Sequence, residues 1–530
     1  MNRFRARFLL WICLILGLLI PVFAGYAAYQ DNPRLKVERR QRTVYHWYLA
    51  RWADNHVVCD VYVLHTGAPT TAEVRRACGT TIATQWLNTP PCTGKTSTCA
   101  GLYLHFAGEY HDTEEVYTVI DPPQVYIELP DCYPTDNNDY RCPLPPLLRL
   151  KAMEPFPGER ILSIHVTLAN TSFSCDGDTC DIPLSQTAVS GADMTFWATS
   201  TLGDSSTHFQ ARLRVRAKDP SRPEIGPWYV TVLSTQWRGE PAPACAATWW
   251  ALPPEDGLPD WLGTPLQAES LATQQPYTYL AGQLIRAGAV DASDCPAGGL
   301  LPGGAANPCG LERARPQVNA WQNRFDEDIW QASRWLDVPA VLLKNLFAQE
   351  SQFWPNMVGA AGEYGLGQLS PVGADTLLLW SPDFFAGFCP QYLSPEACRN
   401  GYSALSADEQ SLLRGATMQA AIASCPECAL GVDEQRARES IPLFAHALQA
   451  NCRQVNQMVR NITHQAPGWV SSYEDLWRFT LANYNAGSGC LSDAMQTAWK
   501  QTGRLDWGDV SDVLRQECPG VETYVEKLTR

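Results

Sequence analysis

The stretch "LLKNLFAQESQFWPNMVGAAGEYGLGQLSP", Leu342 to Pro371, begins as an apolar helix and turns abruptly into a glycine-rich loop, with one carboxylate, Glu350, at the join. Asp337 can cap this helix, Pro339 suits its first turn, and apolar residues recur through Leu343, Leu346 and Phe347. Glu350 falls three residues after Phe347, four after Leu346 and seven after Leu343, which places it on their face. A helix that buries those side chains turns the carboxyl inward with them. Desolvation and the negative end of the helix dipole then both raise its pKa. Such a carboxyl holds a proton near neutral pH and can donate it, as general acid catalysis requires. The plainer alternative is a helix-end glutamate that caps or pairs locally.

Helices dominate from Val318 onward. "SSYEDLWRFTLANYNAGSG" opens with a Ser471-x-x-Glu474 capping box, continues as an amphipathic helix and breaks at Gly487. Taken together, "ESQF", "GEYGLGQLSP" and "NYNAG" resemble the signature of the lytic transglycosylase family, soluble-transglycosylase type. The resemblance covers about residues 318 to 530. It implies an all-α, goose-lysozyme-like catalytic domain with Glu350 as the catalytic residue. It also implies a substrate-binding set of Ser351, Gly365, Leu366, Gln368, Tyr484 and Asn485, in a loop that includes Gly367 and Leu369. By the same resemblance Tyr484 and Asn485 lie near Glu350, with Tyr484 placed to hydrogen-bond or orient the carboxyl. A third block, "ETYVEKL", resembles the family's Glu-Thr-x-x-Tyr-Val but lacks two residues between Thr523 and Tyr524, so no role is carried to Tyr524 or Glu522. The chain also departs from the pattern at Gly359, where a serine is common, at Glu363 and Tyr364, and in a cysteine-rich insertion from about Phe384 to Leu430.

The family reaction needs one carboxylate. It protonates the bridging oxygen between N-acetylmuramic acid and N-acetylglucosamine, then acts as base toward the muramic acid's own C6 hydroxyl, closing a 1,6-anhydro ring. The expected partner is therefore the peptidoglycan glycan strand. A lysozyme-like hydrolase uses two carboxylates, and Glu363 is a possible second acid. A non-catalytic cell-wall-binding protein is the third reading. No phosphate loop, His-Glu-x-x-His zinc site or Gly-x-Ser-x-Gly elbow occurs in the sequence, so neither metal nor cofactor is expected.

The setting follows from the rest of the chain. At 530 residues it is too long for one core, and 45% hydrophobic with 18% charged residues suits globular domains. A formal charge of −15 with no long basic run argues against nucleic acid as a partner. Arg3, Arg5 and Arg7 precede a run without charge from Phe8 to Gln30, which predicts an N-terminal membrane helix and an exported remainder. A cleavable signal peptide is the rival reading of the same run. The expected localisation is thus the cell membrane, single-pass, with the catalytic domain on the outer side.

Nineteen cysteines include Cys13 in the apolar run, leaving an even 18 for disulfides in an exported chain. Cys92 with Cys99, Cys132 with Cys142, Cys175 with Cys180, and Cys389 with Cys398 are spaced as local clamps. "CPEC", Cys425 to Cys428, reads as a further disulfide, having no second pair at zinc spacing.

The predicted architecture is multidomain. Residues 1–30 form the membrane anchor or signal, and 31–100 a mixed α/β region with a threonine helix start near Glu73. Residues 101–240 form a β-rich, antiparallel sandwich-like region serving as spacer or binding module. A Pro/Gly/Ala-rich linker spans 241–315, with a boundary near Pro316, and the catalytic domain spans 316–530. The sandwich rests on alternation in "ILSIHVTLAN" and in "FQARLRVRA", where Arg212, Arg214 and Arg216 oppose an apolar face. It rests also on "VYTVI" and "QVYIEL" flanking "DPP", and on a turn at "GDSS".

Overall fold

The computed structural model describes residues 34–530 except 96, 97, 136, 137, 223–225 and 361. The chain divides into two compact units. The first comprises residues 34–124, 153–162 and 199–207. Its antiparallel sheet has the order β2-β1-β3, from β1 (Leu35–Arg51), β2 (Val57–Val63) and β3 (Leu102–Val119). β1 pairs with β3 along its whole length, from Leu35 opposite Val119 to Arg51 opposite Leu102. A capping box between Thr70 and Glu73 starts the helix Thr71–Leu87. That helix packs Val74 and Ala83 against Leu49, Val61, Val63 and Leu102, and Cys59–Cys78 fastens it to β2.

The second unit holds residues 125–152, 163–198 and 208–530. Its strands are β4 (Gln124–Glu128), β5 (Tyr133–Pro134), β6 (Tyr140–Cys142), β7 (Leu147–Met153), β8 (Ile161–Leu168), β9 (Thr171–Asp176), β10 (Thr179–Pro183), β11 (Ala192–Ser200), β12 (Phe209–Ala217) and β13 (Trp228–Leu233). They form a three-stranded sheet, β10-β7-β4, and a seven-stranded sheet, β5-β6-β13-β12-β11-β8-β9. β11 and β12 pair antiparallel across the segment that contains "GDSS". "VYTVI" and "QVYIEL" do not pair as neighbours: the first closes β3 in the β1 sheet, while the second begins as β4 in another.

The strand "FQARLRVRA" departs from the expected half-buried pattern, because its arginine face is covered as well. Arg212 and Arg214 are only 1% and 5% exposed. Arg212 donates to the carbonyls of Ser190 (2.9 Å) and Trp250 (2.6 Å) and lies 4.1 Å over the Trp469 ring. Arg214 has Glu255 at 3.8 Å, and Arg216 pairs with Asp139 at 2.9 Å. Buried guanidinium groups persist only where such partners meet them. Trp250, Glu255 and Trp469 belong to the part of the chain that leads into the helices, so these strands are built into one body with the helical half and are no detachable spacer.

One apolar core runs from Leu233 to Leu528. It includes Trp249, Trp261, Leu271, Leu280 and Leu284, so the segment read as a linker is part of the helical fold. Its short helices carry too few turns to display a period. Cys245–Cys452 and Cys295–Cys309 hold it in place, and the boundary read at Pro316 falls inside the helix Pro308–Gln322. Asp337 does not cap the acid helix. It closes the preceding helix Asp326–Leu336 in the left-handed region, φ 49°, and Pro339 stands immediately before Ala340–Ser351. Two 30-residue helices, Glu434–Thr463 and Tyr473–Thr502, pack side by side. The second starts with a Ser472–Asp475 capping box, one residue later than expected, and kinks at Gly487, φ 79°.

A β-rich N-terminal half and a helical C-terminal half thus make up the fold. The predicted N-terminal membrane helix lies outside the described residues, and among the described residues no helix is long and apolar enough to cross a membrane. The expectation of a membrane helix in the fold and of a single-pass localisation is corrected to that extent: the long helices among the described residues are amphipathic and pack against one another. The eighteen cysteines after Cys13 form nine disulfides, including Cys92–Cys99, Cys132–Cys142, Cys175–Cys180, Cys389–Cys398 and Cys425–Cys428.

Candidate active site

Glu350 occupies the last turn of the helix Ala340–Ser351, whose Leu342, Leu343, Leu346 and Phe347 are fully buried. The helix stops because Gln352 (φ 48°) and Phe353 (φ 63°) both take the left-handed region. Each such residue costs roughly 1–2 kcal/mol and needs outside support. Gln352 Oε1 accepts from the backbone N–H groups of Tyr279 (2.9 Å) and Leu280 (3.3 Å), and the Phe353 carbonyl accepts from Trp321 Nε1 (2.8 Å). The stop that positions the carboxyl is therefore held by two other helices.

Burial pushes the Glu350 carboxyl up to about 7, and the charge of Glu363 adds to that; a hydrogen bond from Tyr524 acts in the opposite sense. The Tyr524 hydroxyl, from the C-terminal helix Val521–Leu528, donates to Glu350 Oε1. Burial and the Glu350 charge hold that phenol well above its usual range, so it remains a donor. Tyr484, expected to orient the carboxyl, instead donates to the Gly367 carbonyl at 2.6 Å. It fixes the loop, while Tyr524 holds the acid. The register gap in "ETYVEKL" concealed this: a helical turn brings Tyr524 to Glu350 even though the spacing between Thr523 and Tyr524 differs from the pattern. Glu522 faces away and pairs with Arg515 at 2.8 Å.

Ser351 is 1% exposed, and its hydroxyl donates to the carbonyls of Leu366 (2.7 Å) and Phe347 (3.2 Å). Leu366 is fully buried. These two residues, expected to bind substrate, are buried, and the Ser351 hydroxyl straps the loop to the acid helix from inside. Gly365 (φ 79°) passes so close to the Ala421 carbonyl that a Cβ would collide with it. At Gly367 a Cβ would stand 2.5 Å from Phe444 Cδ1 and 2.9 Å from the Tyr484 hydroxyl oxygen. The glycines thus admit close packing of the loop.

Gln368 sits at φ 51° and spends its Nε2 on the carbonyls of Gly365 (2.9 Å) and Met357 (3.1 Å). Across the loop, a Cβ at Gly359 would collide with Glu363 Oε2 and stand 2.9 Å from Gln368 Oε1. Glycine at 359 therefore makes room for the Glu363 carboxylate. The Gly359 N–H donates to the Glu363 carbonyl at 2.9 Å, closing that turn.

A cavity of about 240 Å³ adjoins this site, bordered by Gln368, Tyr484 and Asn485 and by side chains that sequence reasoning did not single out, Asn451, Gln454 and Asn483. Their spacing on two long helices is what brings them together, a relation between segments 30 residues apart that no local pattern displays. No family model matches the chain, and no curated protein matches it.

Proposed function

We propose that the helical half cleaves the β-1,4 bond between N-acetylmuramic acid and N-acetylglucosamine in peptidoglycan, as a lytic transglycosylase does. Glu350 gives its proton to the bridging oxygen as the glycosidic bond breaks. The resulting carboxylate then takes the proton of the muramic acid's C6 hydroxyl, whose oxygen closes on C1 to form the 1,6-anhydro ring. The acid is restored and no water is consumed. One residue filling both roles needs a pKa near the working pH. The state of Glu350 carries this reading: a carboxyl pushed to about 7 by burial, with a phenol donating to it. Tyr524 stabilises the carboxylate present between the two proton transfers. Nine disulfides suit a chain that works where thiols stay oxidised.

A second reading is favoured by Glu363. Its charge raises the pKa of Glu350, so the two carboxyl groups are within electrostatic reach of each other, and in a hydrolase Glu363 would be the group to direct a water to C1. Mass spectrometry of products released from purified peptidoglycan by the full chain and by Glu350→Gln separates the possibilities. Anhydro products, absent with the variant, support the transglycosylase. Products bearing the added water assign the hydrolase. No product from folded protein leaves a glycan-binding protein without catalysis.

A further inference from the structure

Asn483 lies on the helix Tyr473–Thr502, immediately before Tyr484, and is 3% exposed. Both protons of its amide nitrogen are taken. Nδ2 donates to Asn451 Oδ1 at 2.7 Å and to Gln454 Oε1 at 2.8 Å, both on the facing helix Glu434–Thr463. Asn451, 5% exposed, donates its own Nδ2 to the Ala447 carbonyl at 2.8 Å, so its oxygen must face Asn483. The orientation of the Asn483 amide follows, since turning it over would set its oxygen against Asn451 Oδ1. Its Oδ1 is left buried without a hydrogen-bond partner among the described residues, on a side chain that borders the 240 Å³ cavity.

A buried acceptor held in place by a network calls for a donor, because leaving it unmet costs about 1–3 kcal/mol. Gln454, with Oε1 spent on Asn483, retains Nε2 as a donor on the same wall. An acceptor on one amide and a donor on the amide hydrogen-bonded to it complement the N–H and C=O of a secondary amide. Val372 and Ala447 add apolar surface for a methyl group. Among the described residues, no charged side chain lines the cavity.

We infer that Asn483 and Gln454 bind the 2-acetamido group of an N-acetylated sugar, with Asn451 as the residue that positions Asn483. The inference rests on the glycan-cleaving reading and deepens it by assigning the group that selects the sugar. Gln368, whose amide nitrogen is spent on its own loop, is not the main reader of that group.

The test uses the full chain carrying Glu350→Gln, so that bound glycan survives, and measures calorimetric affinity for chitotetraose, cellotetraose and acetyl-dialanine methylamide. Cellotetraose is neutral and carries a hydroxyl in place of the acetamido group. The expected result is a preference for chitotetraose of about tenfold or more, abolished by adding Asn483→Leu or Gln454→Met in variants that remain folded at the assay temperature. Equal affinity for the two tetrasaccharides overturns the inference without needing a second variant, as does an undiminished preference in both folded variants. Binding of the dipeptide alone overturns it in favour of a peptide amide. Failure of any glycan to bind the folded chain overturns the glycan reading itself, and this inference with it.

Discussion

The hydroxyl of Tyr524 donates to Oε1 of Glu350 across 174 residues of sequence. Burial and this hydrogen bond act on the acid in opposite directions: the first favours the protonated form, the second the carboxylate. Replacing Tyr524 by Phe removes only the second influence. On the proposed reaction, the alkaline limb of the pH–rate profile for peptidoglycan cleavage, expected near 7 in the native chain, should move to higher pH, with a lower maximal rate. A limb that stays in place or moves down would show that Tyr524 does not act on the acid.

The same shift makes a prediction for stability. Glu350 has an ordinary pKa of 4.5 when exposed and about 7 in the folded chain, so the folded state binds more protons in that window. Its contribution is therefore fully favourable below pH 4.5 and is lost as pH rises through 7. Glu350→Gln should match the native chain near pH 4.5 and exceed it by up to ~3 kcal/mol above pH 7.5. Denaturant titrations of both proteins at pH 5 and pH 8 measure this, and an equal difference at both values would contradict it.

Gly367 is hemmed in by Phe444 and by the Tyr484 hydroxyl. Gly367→Ala should push both aside and cost roughly 1–3 kcal/mol. Because the Tyr484 bond to the Gly367 carbonyl ties the loop, cleavage should fall more than stability alone explains. Rates measured well below the melting temperature separate the two effects.

The disulfides should differ sharply in weight. Cys245–Cys452 closes a separation of 207 residues, whereas Cys425–Cys428 closes three. Removing the first pair as Cys245→Ala with Cys452→Ala should cost roughly 2–5 kcal/mol, and removing the second much less. Thermal melts of the two double variants decide it; the reverse order would refute a loop-closure origin.

The acid helix was legible because its signals are local. Leu343, Leu346, Phe347 and Glu350 repeat at helical spacing, and the expected upward shift of the carboxyl's pKa is the direction found. The capping box at Thr70 and the close cysteine pairs are equally short-range. What failed was inference across distance. Arg212 and Arg214 alternate as a solvent face would, yet the segment around Trp250 and Trp469 covers them. Pro316 looks like a boundary and sits inside a helix. Ser351 and Leu366 stand in a motif expected to bind substrate, and packing buries both and joins them by a hydrogen bond.

Periodicity and spacing specify which residues share a face and where a helix starts, since those depend on bonds within a few residues of chain. Which face meets which is settled by packing among distant segments: Tyr524 rather than Tyr484 reaches Glu350, and Asn483 meets Asn451 and Gln454, because the cooperative burial of the helical half brings those helices together.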